Sequence, residues 1–535
     1  MVDETDRPTR IRRPRQETAQ QFHRLRSGRA RMSMLVHVLV MLVVAAAVAA
    51  FSAWLVWALL GGPGLPELSG ESARLEVIKV ALAITAGLGG VVALVVAYRR
   101  QRLGEIADLR LGTAEEREQA KHFHERFGNA SEQLGSGKAN VRLAGAYAMA
   151  QLADDWDNGR QICINVLCAY IRMPYTPPDK LPIEESTPDR EARVPTARHE
   201  AEQERHVRKA VIDIIGTRLS QQPVEGKTWH GHSFDFSGAT IDNGSLKSAK
   251  FSGCDVSFIN AKFVGGEVSF NLAEFSGGKV SFDNAEFSGG EVSFAGVQFS
   301  DGDVSFNHAE FSGGEVSFVS AEFSGGYVSF VGAKVTSSSV YFDNARFTGG
   351  YVSFSHAAFS GGYVSFVNAA FSGSKVSFAS AKFSGGYVYF DNAIFTSGSV
   401  SFSHAEFSGS SVSFALTEFT GSSVSFALTE FSGSSVSFAS AAFSHGSVYF
   451  VSAKFSGGEV SFDNARFTGS EVSFADAAFT GGEVSFQSAA FSGGEVDLRH
   501  PRLFEHPPVF DEFVGGPPEG LMLPPKFGTS GSEAK

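Results

Sequence analysis

The sequence predicts a β-solenoid, a fold in which short strands wind into a stack of coils. A twelve-residue unit of the form V-S-F-x-x-A-x-F-S-G-G-x repeats about twenty times between Val256 and Val496. Phenylalanine recurs at every twelfth residue from Phe258 to Phe486, and a second series at the same spacing is interrupted only by Val335. Internal repetition at a short, fixed period is the sequence signature of such architectures.

Each unit contains two short alternating runs, V-S-F and A-x-F. Successive side chains of an extended chain point to opposite sides, so the apolar residues of each run share one face. The runs are separated by pairs such as Asp-Asn, Ser-His or Ala-Leu and by Ser-Gly-Gly, and glycine accepts the positive φ that a tight corner needs. We therefore predict two half-buried strands per unit, joined by corners.

A shorter period precedes the array. Apolar side chains stand five apart at Phe236, Ile241, Leu246 and Phe251, and the last three each follow a small residue by two positions. This pattern, A-T-I-D-N, G-S-L-K-S, A-K-F-S-G, resembles the pentapeptide repeat family. The resemblance implies a right-handed quadrilateral β-helix, in which one twelve-residue unit equals two pentapeptides with two additional corner residues.

The coil length has two solutions at this stage. A twelve-residue period fits a flat, two-sided coil with one unit per turn, or a four-sided coil with two units per turn. The resemblance to pentapeptide repeats favours the second, in which residues 24 apart stack on adjacent rungs. We expect the β-helix to cover 234–498, and 499–535 to form a C-terminal cap and a disordered tail.

The N-terminal part predicts a membrane anchor. Residues 1–32 form a basic tail, with nine arginines against four acids in the first 31 residues. Within 33–98, apolar runs at 34–60 and 78–98 are long enough to cross a bilayer as two transmembrane helices. A cleaved signal peptide fits less well because the first run is too long for its apolar region. The basic tail and the arginines after residue 98 place both termini in the cytoplasm of a multi-pass plasma membrane protein.

The segment between anchor and array is predicted to be mostly helical. Residues 99–172 form a helical cytoplasmic region, 173–200 a proline-rich linker, and 201–220 one more helix. The runs at 125–135 and 141–152 resemble the segment that precedes the repeats in membrane-anchored pentapeptide repeat proteins of bacteria. Of the three cysteines, Cys163 and Cys168 lie in an apolar helical pattern, so we predict buried structural thiols.

No motif indicates catalysis. The run from Gly135 to Lys138 lacks the first glycine, the following Ser or Thr and the preceding strand of a phosphate-binding loop. His308, His356 and His404 recur at corners without recurring carboxylate or cysteine partners. The helical region is short for a catalytic pocket. We therefore expect no enzyme activity, no metal and no cofactor.

Two functions remain in different classes. Between Phe234 and Leu498 the chain holds 25 acidic and 10 basic residues. A membrane-anchored scaffold that presents an elongated cytoplasmic β-helix to a protein partner fits every zone of the chain. The alternative follows from the resemblance, because some pentapeptide repeat proteins act as DNA mimics on topoisomerases through an acidic rod. The bilayer is an expected partner, nucleic acid is not, and homo-oligomer formation stays open.

The residue before each valine suggests a partner patch. It is acidic near both ends of the array, Ser from Ser399 to Ser447, and Tyr at four positions in the middle. These candidates are Tyr327, Tyr351, Tyr363 and Tyr387. The repeat does not require tyrosine there, and exposed tyrosine is enriched at interface hot spots. In a four-sided coil the first two lie on one side and the last two on the opposite side, as two equivalent sites; alternatively, the rings only cover neighbouring strands.

Overall fold

A computed structural model describes residues 117–181, 193–224, 227–513 and 516–525, with isolated residues at 40, 43, 44, 47, 48, 50–52, 54, 55, 58, 75, 79, 97, 100 and 101. The predicted basic tail, the two predicted membrane spans and the predicted disordered end lie outside these continuous ranges. Within the described part of the chain, no helix combines the length and apolar character needed to cross a bilayer. The chain divides into Met1–Gln119 and Ala120–Lys535, and the fold below is that of the second unit.

Helices precede the repeats. Residues up to 134 are helical from 117, and three complete helices follow: α1 at Ala139–Asp155, α2 at Arg160–Arg172 and α3 at Arg193–Ser220. Short 3-10 turns lie at Asp157–Gly159 and Pro178–Lys180. Helix α3 begins within the segment predicted as linker. Its proline falls in the first turn, where backbone N–H groups have no intrahelical partner and proline is tolerated.

The repeats form three parallel sheets of 13, 15 and 11 strands, which confirms the β-solenoid. The first sheet contains Phe234–Asp235, Val256–Ser257, Lys279–Ser281, Asp303–Ser305, Tyr327–Ser329, Tyr351–Ser353, Lys375–Ser377, Ser399–Ser401, Ser423–Ser425, Ser447–Tyr449, Glu471–Ser473, Glu495–Asp497 and Leu521–Met522.

The second sheet contains eight-residue strands that bend around a corner, and in some coils two shorter strands replace one long strand. Its members are Thr240–Ile241, Gly244–Ser245, Lys262–Ser269, Glu286–Ser293, Glu310–Ser317, Lys334–Val335, Ser339–Tyr341, Ala358–Ser365, Lys382–Tyr389, Glu406–Phe407, Ser411–Ser413, Glu430–Ser437, Lys454–Ser461, Ala478–Ser485 and Leu503–Phe504.

The third sheet closes each coil. It contains Lys250–Ser252, Glu274–Ser276, Gln298–Ser300, Glu322–Ser324, Arg346–Thr348, Ala370–Ser372, Ile394–Thr396, Glu418–Thr420, Ala442–Ser444, Arg466–Thr468 and Ala490–Ser492.

One coil holds two twelve-residue units. Val256 pairs with Val280 in the first sheet, and Ser269 pairs with Ser293 in the second, so adjacent rungs are 24 residues apart. Residues twelve apart, such as Val256 and Val268, lie in different sheets. The two-unit coil is therefore confirmed, and the flat coil with one unit per turn is excluded for the described array.

Two kinds of corner turn the chain. At the glycine corner inside the long strands, the second glycine has a positive φ, as at Gly314 with 72°. A Cβ atom there would lie 2.2 Å from the carbonyl oxygen of Gly290 on the preceding rung, so only glycine fits. The two-residue corners also place their second residue in the left-handed region, which Asn and His tolerate better than most residues. Leu416 occupies this conformation with φ 60°, at a steric cost.

Phenylalanine ladders fill the interior. Phe378 is fully buried and stacks on Phe354 and Phe402, with ring centroids 4.8 Å apart in both pairs. It also meets Phe390, from the opposite half of the coil, edge to face at 5.5 Å and 88°. Each ring therefore stacks along the axis and makes T-shaped contacts across it, and both geometries are favourable for aromatic pairs.

The two ends of the array are covered. Arg208 of α3, 3% exposed, donates hydrogen bonds to the carbonyl oxygens of Ile171 in α2 and Thr240 in the second sheet. Gly216 lies against the second sheet so closely that a Cβ atom would be 2.2 Å from the Ser245 carbonyl oxygen. At the other end, Leu521–Met522 pairs with Glu495–Asp497. Coverage of this kind protects the open edges of a sheet.

The one interruption of the phenylalanine series creates a testable defect. Val335 leaves a cavity of about 20 Å³ in the ladder between Phe311 and Phe359. We expect Val335→Phe to restore the stack and to raise the free energy of unfolding by about 1 kcal/mol, through added burial and loss of the cavity. Chemical denaturation of both proteins measures the change. Val340→Phe is the matched control, because Val340 belongs to an intact valine ladder and a ring there should destabilise. A lower stability of Val335→Phe than of the parent would contradict this account.

Candidate functional site

The four predicted tyrosines lie on two sheets. Tyr327 and Tyr351 occupy neighbouring strands of the first sheet in register, and their rings stack with centroids 5.3 Å apart and planes 2° apart. Tyr363 and Tyr387 occupy neighbouring strands of the second sheet, also in register. The expected separation of the two pairs is therefore observed, half a coil apart.

The second pair belongs to a larger cluster. Tyr341 and Tyr389 replace the outward serine of V-S-F on the same half of the second sheet. The Tyr363 ring contacts Tyr341 at 5.6 Å and Tyr389 at 5.2 Å, and the Tyr387 ring lies parallel to Tyr389 at 6.2 Å. We call these four residues the tyrosine face. It spans three successive rungs, with Tyr387 as its most exposed member at 54%.

The two tyrosine sites are not equivalent, contrary to expectation. The first sheet presents a stacked pair, whereas the second presents a connected cluster of four rings. Sequence reasoning followed only the residue before valine and missed Tyr341 and Tyr389. The signal for them was the change from V-S-F to V-Y-F two positions later, since both positions point outward from the same strand.

Two carboxylates border the tyrosine face. Asp391 follows Tyr389 by two residues, and it accepts hydrogen bonds from the Ser413 hydroxyl and from the backbone N–H of Ala415 at 3.2 Å on the next rung. Asp343 makes the same pair of contacts with Ser365 and Val367 beside Tyr341. Partial burial, together with its tyrosine neighbours and Asp391, raises the pKa of Tyr389. The rings therefore stay neutral at physiological pH beside a fixed anionic edge.

The histidines and cysteines do not form a reactive centre in the described residues. His308, His356 and His404 share one corner line at 48-residue spacing, which is two coils or about 10 Å. No group of three or more possible metal ligands occurs in the described part of the chain. The cysteines are free and buried, as predicted, and burial raises the pKa of Cys163 to about 11. A protonated, inaccessible thiol is a poor nucleophile.

The helical region contains the largest open cavity among those described, about 890 Å³. Its charged groups satisfy one another: Arg142 lies 2.9 Å from Glu204, and the Tyr170 hydroxyl donates to the same carboxylate at 2.9 Å. The run from Gly135 to Lys138 joins two helices and is not preceded by a strand. These contacts explain how the region is held together and provide no unpaired group aimed at a reacting atom.

Comparison with models of known protein families gives no match, and comparison with curated proteins gives no matching sequence. The likeness to pentapeptide repeats consequently rests on the strand pattern and on the regular phenylalanine spacing. A parallel β-solenoid that follows a small helical region is the class of protein that these features define.

Proposed function

We propose that this protein is a non-enzymatic, membrane-anchored scaffold whose β-solenoid presents the tyrosine face to a protein partner. The observation that carries the proposal is the cluster of four neighbouring rings at positions where other coils have Ser or Glu. Folding of the repeat does not require these rings. Tyrosine offers a large, amphipathic contact area at low entropic cost, which suits an interface.

The solenoid is suited to such a role because its surface is held rigidly. Each rung pairs with two neighbours through backbone hydrogen bonds, and ring stacks run the length of the interior. Outward residues change while the inward Val, Phe and Ala positions stay nearly constant. We further propose the right-handed four-sided geometry of pentapeptide repeats for the coil, supported by four strand segments per 24 residues.

DNA mimicry is the weaker alternative. Duplex DNA carries one negative charge per about 1.7 Å of its axis, whereas rungs of a parallel sheet are about 4.8 Å apart. Acidic residues before valine occur on consecutive rungs only near the ends of the second sheet, and Ser or Tyr separates the two groups. This spacing supplies a lower and less continuous charge density than a duplex.

Membrane anchoring through the apolar runs at 34–60 and 78–98 is part of the proposal, with both termini in the cytoplasm. We expect a reporter enzyme that works only outside the cytoplasm to be active when inserted after Gly64 and silent when fused after Lys535, because the basic flanks favour the cytoplasm. A reporter that works only in the cytoplasm serves as control and should give the reverse result. Activity of the external reporter after Lys535 would contradict the proposed topology.

The partner site can be tested by exchange for a residue that the repeat already uses. We expect a variant with Tyr363→Ser, Tyr387→Ser and Tyr389→Ser to keep its circular dichroism spectrum and to lose its partner in affinity capture of full-length protein from its own cells. Tyr327→Ser with Tyr351→Ser is the matched control, and it should retain the partner. Unchanged capture by the folded triple variant would eliminate the tyrosine face as the site.

A further inference from the structure

The half of the second sheet that bears the tyrosine face carries a one-sided set of charges. Its outward positions from Glu267 to Ser485, two per rung, hold only glutamate, serine and tyrosine. The glutamates are Glu267, Glu291, Glu315, Glu459 and Glu483. The corresponding positions of the first sheet include Lys279 and Lys375. The side with the tyrosine cluster is therefore distinguished by the absence of lysine and arginine at these described positions.

Lysines that share the sheet lie on its other half and are already paired. Lys334 lies 2.7 Å from Glu310, and Lys382 lies 3.2 Å from Glu406 on a neighbouring rung. Both lysines precede the corner that separates them from the tyrosine half of their coil. They therefore do not neutralise Glu315, whose rung adjoins that of Tyr341.

The faces of the tyrosine rings and the bordering carboxylates attract the same kind of group. The π face of tyrosine is electrostatically negative and binds ammonium or guanidinium groups within about 6 Å. Tyr387 is more than half exposed, so its ring is accessible. Asp343 and Asp391 are held beside the rings by hydrogen bonds from the next rung, and need no reorganisation to meet a cation.

We propose that the tyrosine face binds an extended segment of a protein partner that carries arginine or lysine side chains. This inference rests on the proposed scaffold function and specifies the chemistry of its partner. One cation lies over the rings of Tyr363, Tyr387 and Tyr389, beside Asp391. A second cation reaches Glu315, where the acidic ladder begins.

The dimensions fit a short segment. The rungs of Tyr341 and Tyr389 are separated by two intervals of about 4.8 Å, or roughly 10 Å. An extended peptide rises about 3.3 Å per residue, so its alternate side chains, about 6.6 Å apart, point to the same side. Two cations separated by one residue therefore span most of the cluster, and one further alternate residue brings a cation to the acidic ladder.

Other occupants meet unfavourable charge. Nucleic acids and anionic lipid surfaces would bring phosphates against glutamates without a lysine or arginine on this face to receive them. A second copy that used the same face would place one anionic surface against another. A basic protein segment meets a complementary potential, and its attraction should weaken as salt screens the charges.

Fluorescence anisotropy with a synthetic probe tests the inference. The probe is a fluorescein-labelled peptide of alternating arginine and glycine, and its control replaces each arginine with citrulline, which keeps the shape and removes the charge. Full-length protein in a zwitterionic detergent is titrated at low and high salt. We expect the arginine peptide to bind at low salt and the citrulline peptide not to bind.

The protein variants locate the contact. Tyr363→Ser with Tyr387→Ser and Tyr389→Ser should weaken arginine-peptide binding roughly tenfold. The same three positions changed to Phe should retain it because the rings remain, and Tyr327→Ser with Tyr351→Ser should have no effect. Equal binding of the citrulline peptide, equal affinity of the triple serine variant, or no binding of the arginine peptide would overturn the inference.

These outcomes separate the inference from the proposed function. Loss of partner capture by the triple serine variant, with arginine-peptide binding equal in variant and parent, would leave the scaffold function standing and remove its cation chemistry. Loss of peptide binding with unchanged partner capture would show a cation-binding surface and would remove it as the partner site.

Discussion

The stacking of phenylalanine rings at 24-residue intervals is the constraint on which the rest of the structure depends. Each ring meets its counterparts on adjacent rungs at about 4.8 Å, which is also the spacing of hydrogen-bonded strands. Because backbone pairing and ring packing share one period, a coil with one residue more or fewer would break both. This coincidence explains why the unit repeats with so little variation.

The corners follow from the same constraint. A coil of fixed length must turn at fixed positions, and each turn needs a residue with positive φ. Glycine supplies it where the preceding rung lies too close for a Cβ atom, as at Gly314. Where the corner is open to solvent, Asn, His, Ser and even Leu occupy the left-handed conformation, and the packing of the flanking Phe and Ala residues holds them there.

The sequence predicted what depends on the repeat period. The solenoid, the inward residues and the 24-residue coil all follow from spacing, because strand side chains alternate with a period of two. The start of α3 at Arg193 was missed because a proline in the first turn looks like a linker residue in a one-dimensional pattern. The tyrosine face was only half recognised, since Tyr363 and Tyr389 meet through neighbouring rungs and the contact depends on register and ring orientation.

Hydrogen exchange of Phe378→Ala tests the central claim most directly, that the ring ladder stabilises each coil through its immediate neighbours. Removal of this ring should cost about 3 to 5 kcal/mol through lost burial and a cavity. We predict faster exchange of backbone amides in the coils of Phe354, Phe378 and Phe402, with unchanged protection in rungs several coils away, as nearest-neighbour coupling in a repeat array requires. A uniform loss of protection along the whole array, or no change around residue 378, would contradict the account.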